Sequence, residues 1–543
     1  MSHPTPAPAI THAADRPGQS LSPAIATATL GVAFMLAVVG DSLLHVGFPG
    51  AGFPVWLALI ALSVIALAWR ADLFVPRESV AWFAVAVVCA TCAAWRDAET
   101  LQVFNTFGTI GALLLGATAM NRATPVLFAG RLRDSVLAFA HTAWTAAFGI
   151  FPLALREAPA SAASSVVKNR FARYARAAIL AVALLLVFGA LLRSADPIFA
   201  SLVSLPSFDV EELVNHLIVI GVFTVLLGGG ARAALLAKHD RVANAALPFF
   251  RLSSVEVTTA LVTLNVLFAA YVLAQLGWFF GGEQFLRERT GLTVAQYARG
   301  GFFQMLVVVA LVVPLLIATR SALEAGRELA RRHTLLSLPI VGLLGAIIVS
   351  AASRMELYVR YYGLSVDRVY PIAVMAWLTI VLVWMTFTVL RGRPQTFTAG
   401  AAISALATLF TLNVVAPDRI VARTNLERAQ HMTRDATPLD IAYLAKLSGE
   451  AIDLTVQAVL PPPGVTIDAT SRCEAARTLL DRWGPESNRR KGRDVPAAWR
   501  SWNAGMAAGL RAVGAHIGEL RAIAHTCAGP KPTAAAPATP PQR

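Results

Sequence analysis

The chain has 543 residues, of which 56% are hydrophobic and 14% charged, with a mean hydropathy of +0.61. A wholly soluble protein of this length needs far more charged surface, so the apolar material must face lipid. The net charge of +14 fits membrane orientation and contact with anionic lipid, and argues against a nucleic-acid partner.

Residues 1–23, rich in Ala, Pro and Thr, read as a disordered tail. With one arginine, Arg16, it does not make a signal peptide, and the first apolar run is expected to act as an uncleaved anchor. Eleven helical spans are predicted, at 24–43, 54–69, 79–95, 99–119, 177–193, 213–231, 254–280, 301–319, 334–353, 369–390 and 396–417. None alternates as a β-barrel strand would. The expected fold is therefore all-α, a polytopic membrane helix bundle over 24–417 followed by a soluble helical domain over 418–528 and a second disordered tail at 529–543.

Lys and Arg alternate between the connections. The tail and 70–78, 120–176, 232–253, 320–333 and 391–395 hold 21 of them, and the intervening connections hold 8. By the positive-inside rule the first set is cytoplasmic, which puts the N-terminus inside and the 418–528 domain outside, opposite the cytoplasm. Ser135–Leu155 carries no charge, but Pro152, His141 and Trp144 dilute its hydropathy. Together with its flanks (124–165) it reads as interfacial or re-entrant, because a further crossing would place basic stretches such as Arg320–Arg332 outside.

In the C-terminal region one helical segment is expected around Ile441–Val456 and a second over Ser471–Trp483. A third follows Asp494 as cap, with Trp499, Trp502, Met506, Leu510, Val513, Ile517, Leu520 and Ile523 in one apolar stripe. Cys473 and Cys527 fall in this domain and are a candidate disulfide, provided the third helix bends or stops early. Cys89 and Cys92, within a span, read as two small buried residues and not as a thiol relay.

There is no HExxH, zinc-spaced Cys/His set, GxSxG or Walker loop, and neither a metal nor a cofactor is expected. Among intramembrane polar residues, Asn215, His216, Glu256 and Asn265 are the candidates for function; hydrogen-bond glue between helices is the ordinary alternative. The alternation also gathers polar groups onto the outer face: Asp41, Asp196, Arg354, Glu356, Arg360, Asp367, Asp418, Arg423, Asn425 and Arg428. These form a candidate ligand or partner surface, with Glu356 and Arg360 one turn apart.

The outer-face stretches Tyr361–Tyr370 (YYGLSVDRVY), Pro417–Arg428 (PDRIVARTNLER) and Leu439–Ser448 (LDIAYLAKLS) resemble a bacterial multi-spanning membrane family catalogued only as a domain of unknown function. Asp196–Phe199 and Trp499–Asn503 are similar to further segments of it. Such proteins commonly carry Asn-Pro-Asp where this chain has Ala416-Pro417-Asp418. The resemblance implies no reaction. The expectation is a non-enzymatic membrane protein, partnered by the lipid bilayer, that binds or senses a protein or envelope ligand at its periplasmic face. A secondary transporter with a midplane polar site and a lipid-linked-sugar glycosyltransferase are the alternatives.

Overall fold

The computed structural model describes residues 23–45, 49–120, 132–157, 210–235, 253–290, 302–322, 326–393, 396–430, 438–460, 467–485 and 499–526. Both tails, the expected 177–193 span, Asp196, Asp494 and Cys527 lie outside the described residues. Among the described residues the longer helices before the C-terminal domain are α1 (Pro23–Leu44), α2 (Gly52–Arg70), α3 (Arg77–Trp95), α4 (Glu99–Met120), α5 (Leu132–Phe148), α6 (Val210–Leu235), α7 (Ser254–Thr290), α8 (Phe302–Ala322), α9 (Arg327–Tyr362), α10 (Val366–Phe387) and α11 (Phe397–Val415). Among the described residues there is no strand, and nine helices are long and apolar enough to cross a membrane: α1–α4, α6, α7 and α9–α11. A shorter apolar stretch, Gln304–Arg320, lies within α8. The chain is a polytopic all-α membrane protein.

Side-chain size decides how the first helices pack. The buried face of α1 is Ala26, Thr29, Ala33, Ala37 and Gly40, small residues three or four apart that let neighbouring backbones approach. A Cβ on Gly40 would stand 2.6 Å from the Trp56 ring. The indole fits there and donates Nε1–H to Leu36 O at 2.8 Å. Outward faces carry Met35, Leu62, Phe107, Leu311 and Val349, all exposed, which is the surface lipid requires. A second apolar core forms from α7 to α10, through Leu261, Val309, Leu316, Leu344, Leu378 and Met385. Asn105 of α4 and Asn413 of α11 join the two halves, each donating its amide to the other at 2.9 and 2.8 Å.

The α5 helix holds 17 residues, short of the roughly 20 needed to cross. Thr142 and Thr118, near the end of α4, share a hydrogen bond of 2.8 Å, and Glu157 pairs with Arg232, near the end of α6. These contacts hold the segment against α4 and α6 near their C-terminal ends. The long helix α9, roughly 54 Å at 1.5 Å per residue, absorbs Arg354–Tyr362, which falls between the expected spans 334–353 and 369–390.

Beyond α11 come α12 (Pro417–Gln430), α13 (Ile441–Leu444), α14 (Ile452–Val459), α15 (Ala469–Trp483), α16 (Ala504–Ala515) and α17 (Ile517–Thr526). Their core is Val421, Ile441, Leu444, Ile452, Val456, Leu479, Trp483, Val513 and Leu520. The expected third helix is two helices, broken at His516, and Asn503 caps the first by accepting from Met506 N. Trp499 and Trp502 form a turn and are 56% and 52% exposed, so the expected apolar stripe begins only at Met506. The break lays α17 along α15, and Cys473 Sγ comes within 3.7 Å of Ala524 O. Cys473 is buried and disulfide-bonded, while Cys89 and Cys92 carry free, buried thiols.

This domain caps one end of the bundle. Gly52 N and Ala51 N donate to Arg500 O and Trp502 O at 2.8 and 2.9 Å. Asn503 donates to Ala93 O and Arg96 O, and Asp97 accepts from Gly449 N while its own N–H reaches Glu450. The α1–α2, α3–α4, α9–α10 and α11–α12 junctions therefore share one face, called here the domain face.

Candidate functional site

Asp41 continues the small-residue stripe of α1 by one turn, and this buries a carboxylate to 7% exposure at the domain-face end of the helix. The α6 helix runs antiparallel beside it, turning Val214, Leu217, Ile218 and Val222 outward and Val219 and Phe223 inward. His216 is on the inward side, and its Nδ1 meets Asp41 Oδ2 at 2.6 Å. One turn beyond Asp41 on α1 is His45, whose ring lies 4.0 Å from that of His216 between centroids. One turn before His216 on α6 is Glu212, 3.9 Å from His45 Nε2. Each helix thus contributes an acid and a histidine four residues apart, and the antiparallel arrangement sets the acid of one against the histidine of the other.

Below this cluster lies a cavity of about 720 Å³, walled by α1–α6. It follows α1 from Thr29 to His45, a rise of roughly 24 Å. Leu36, Trp56, Leu57, Leu113 and Phe223 line its walls, with Trp56 and Phe223 packed at 4.7 Å, and Asp41 and His45 are its ionisable lining residues. An apolar chamber with charge at one end suits an amphiphile.

The other expected site residues divide into framework and surface. Asn425 is buried on α12; its Oδ1 accepts from Leu364 N at 2.8 Å and its Nδ2 donates to Leu364 O at 2.7 Å. The preceding Gly363 sits at φ +77°, and a Cβ there would come 2.5 Å from Asn425 Oδ1, so the turn requires glycine twice over. Arg428 also lies against this glycine. Asp418 accepts from Ser448 N at 2.8 Å, Tyr443 accepts from Val366 N at 3.0 Å, and Asp440 caps α13 through Tyr443 N. Burial pushes the Tyr443 hydroxyl above the usual phenol range, so it stays neutral as an acceptor in this joint. The three resembling motifs are thus one clamp that fixes the C-terminal domain to the α9–α10 turn.

Glu356–Arg360 and Arg423–Glu427 are exposed one-turn pairs at 3.1 and 2.7 Å, and Asp367 is exposed, while Arg354 is buried on α9. Exposed pairs of this kind contribute under about 1 kcal/mol. Asn215 is exposed beside His216. Glu256 and Ser253 exchange side-chain-to-backbone hydrogen bonds at 2.6 and 3.2 Å, a capping box for α7. Asn265 ties α7 to α9 through Leu336 O at 2.8 Å. The intramembrane candidates therefore do not meet at a common midplane site. His45 and Glu212, absent from the expected set, join Asp41 and His216. Buried His333, bridging Thr319 and Ser337 at 3.1 and 3.3 Å, was also not anticipated.

The family model for the domain of unknown function DUF4153 matches residues 83–458. No curated protein and no solved structure matches the chain. The match covers the clamp motifs and α6 but stops before Trp499–Asn503. The chain belongs to the DUF4153 family.

Proposed function

We propose that this DUF4153 member is a bacterial inner-membrane protein that binds an amphiphile of the cell envelope, with its N-terminus cytoplasmic and its C-terminal domain periplasmic. The observation that carries this reading is the 720 Å³ apolar cavity that ends at Asp41 and His45. An acyl or prenyl tail would lie along α1 and α6, and its polar head would meet the carboxylate and imidazoles beneath the capping domain. The lysine and arginine alternation supports the orientation.

The test is photolabelling of the full-length protein in vesicles with a diazirine-bearing acyl phospholipid, followed by peptide mapping. Labels are expected on Leu36, Phe223 and their neighbours, and Ala33→Trp, which fills the cavity, should reduce them several-fold. Labelling confined to outward residues such as Met35 and Val222 would refute the proposal. So would cross-links from a cysteine at position 36 to residues 177–193, which would mean that the chain fills the cavity itself.

A further inference from the structure

The polar end of the cavity holds more donor capacity than its hydrogen bonds use. Asp41, His45 and His216 each offer one ligand atom, and these atoms all lie within 4.8 Å of one another. Asp41 Oδ1 is buried and has no hydrogen-bond partner among the described residues; the side chain, 7% exposed, lines the cavity. A buried carboxylate oxygen left without a partner costs free energy unless something fills its lone pairs.

Two imidazole nitrogens and one carboxylate oxygen suit zinc and neighbouring first-row divalent ions; magnesium and calcium prefer all-oxygen shells. We propose that Asp41, His45 and His216 bind one divalent transition-metal ion of the zinc class, with its remaining coordination position open to the cavity. Three protein ligands plus one open position is the arrangement of sites whose metal takes an outside ligand. Metal–ligand distances of 2.0–2.1 Å put tetrahedral ligand atoms roughly 3.3 Å apart. The 2.6 Å Asp41–His216 contact must open and the wider separations, up to 4.8 Å, must close. The required adjustments are small, roughly 0.7 Å and at most about 1.5 Å. Glu212, 3.9 Å from His45 Nε2, is close enough to move in as the carboxylate partner that metal-bound imidazoles ordinarily have. This site departs from the sequence expectation of no metal, because its ligands come from helices 175 residues apart. It rests on the amphiphile reading only for what takes the open position.

The experiment uses tag-free full-length protein in detergent, stripped with a chelator and titrated with Zn²⁺ and with Co²⁺ as a spectroscopic probe. Expected are one ion per chain and visible Co²⁺ absorption. Removal of a ligand by His45→Gln, His216→Gln or Asp41→Asn should weaken binding by at least about 100-fold, and Glu212→Gln by roughly 10- to 100-fold. Glu356→Gln, on an exposed pair, should leave it unchanged. Circular dichroism and gel filtration check each variant's fold, and Glu212→Gln, on an exposed carboxylate, reports on the site even where a ligand variant misfolds. Absence of saturable one-to-one binding overturns the proposal, as does binding that is equal in wild type and all four site variants. Loss of metal binding with photolabelling intact would overturn the metal site alone; metal binding without cavity labelling would overturn the amphiphile reading alone.

Discussion

Replacing Asn425 with alanine removes both hydrogen bonds that hold the α9–α10 turn to the C-terminal domain, 2.8 Å from Leu364 N and 2.7 Å to Leu364 O. No other side chain hydrogen-bonded to Leu364 among the described residues replaces them. A typical hydrogen bond contributes about 1 kcal/mol net, and a buried group left unsatisfied costs about 1–3 kcal/mol. Leu364 is part-buried, so the expected loss is about 2–4 kcal/mol in all. Asn425→Asp keeps an acceptor for Leu364 N but sets a carboxylate oxygen against Leu364 O, and should fall between wild type and alanine. Gly363→Ala attacks the same joint from the other side. It places a non-glycine residue at φ +77°, ψ −179°, a region essentially confined to glycine, at about 1–3 kcal/mol, and drives Cβ towards Asn425 Oδ1. Equilibrium unfolding in mixed SDS micelles measures all three, with tryptophan fluorescence as signal. The Gly363→Ala/Asn425→Ala double variant should be less destabilised than the sum of the singles, by more than about 0.5 kcal/mol. An Asn425→Ala loss below about 0.5 kcal/mol, or strict additivity, would refute the clamp.

Other outcomes follow from individual positions. Ala416 adopts φ +54° at the end of α11, a conformation that asparagine tolerates better than alanine, so Ala416→Asn should stabilise by up to about 1 kcal/mol in the same unfolding assay; destabilisation would refute the argument. Asn105→Ala and Asn413→Ala should show a coupling of about 0.6–1.7 kcal/mol in a double-mutant cycle, and zero coupling would remove the bridge between the two halves of the bundle. Cys473 is disulfide-bonded, and we propose Cys527 as its partner. Denatured protein should then expose two thiols before reduction and four after it, and Cys527→Ser should free Cys473 for labelling.

Much of the helical architecture was legible because crossing a membrane imposes one length and one composition on each segment. The charge alternation also places the α1–α2, α3–α4, α9–α10 and α11–α12 junctions on a common face, and in the structure the C-terminal domain contacts all four. Local pattern misled where tertiary contacts overrode it. The run from Trp499 to Ile523 reads as one amphipathic helix, but Trp499–Trp502 is held as a turn by the Ala51 and Gly52 amides, and His516 breaks the remainder. Asn425 and Asp418 attracted notice as polar groups on one face, which says nothing about whether they face a ligand or their own backbone. Their partners, Leu364 N and O and Ser448 N, are backbone atoms, and backbone leaves no mark in composition. Glu256 has a partner of a simpler kind: with Ser253 it forms the Ser-x-x-Glu capping signature, which the sequence itself displays.

The Asp41–His216 cluster was only half legible, and the missing half is relational. Asp41/His45 and Glu212/His216 are each an acid and a histidine one helical turn apart, a spacing visible in the sequence but common by chance. It acquires meaning only when α1 and α6 lie side by side and antiparallel. In that arrangement each acid meets a histidine; parallel helices in the same register would set acid against acid. The pairing therefore depends on direction, and exchanging the partners should preserve it. Asp41→His alone would place imidazole against imidazole and His216→Asp carboxylate against carboxylate, each losing a charge-assisted contact of about 1.5–3 kcal/mol. The double variant Asp41→His/His216→Asp restores one acid and one histidine at the contact and should recover more than half of that loss in the unfolding assay. It should also recover metal affinity, since the donor set is unchanged. A double variant as unstable as the sum of the singles would mean that the 2.6 Å contact is incidental to the packing of Gly40 against Trp56, and that nothing at this end of the cavity selects for the pair.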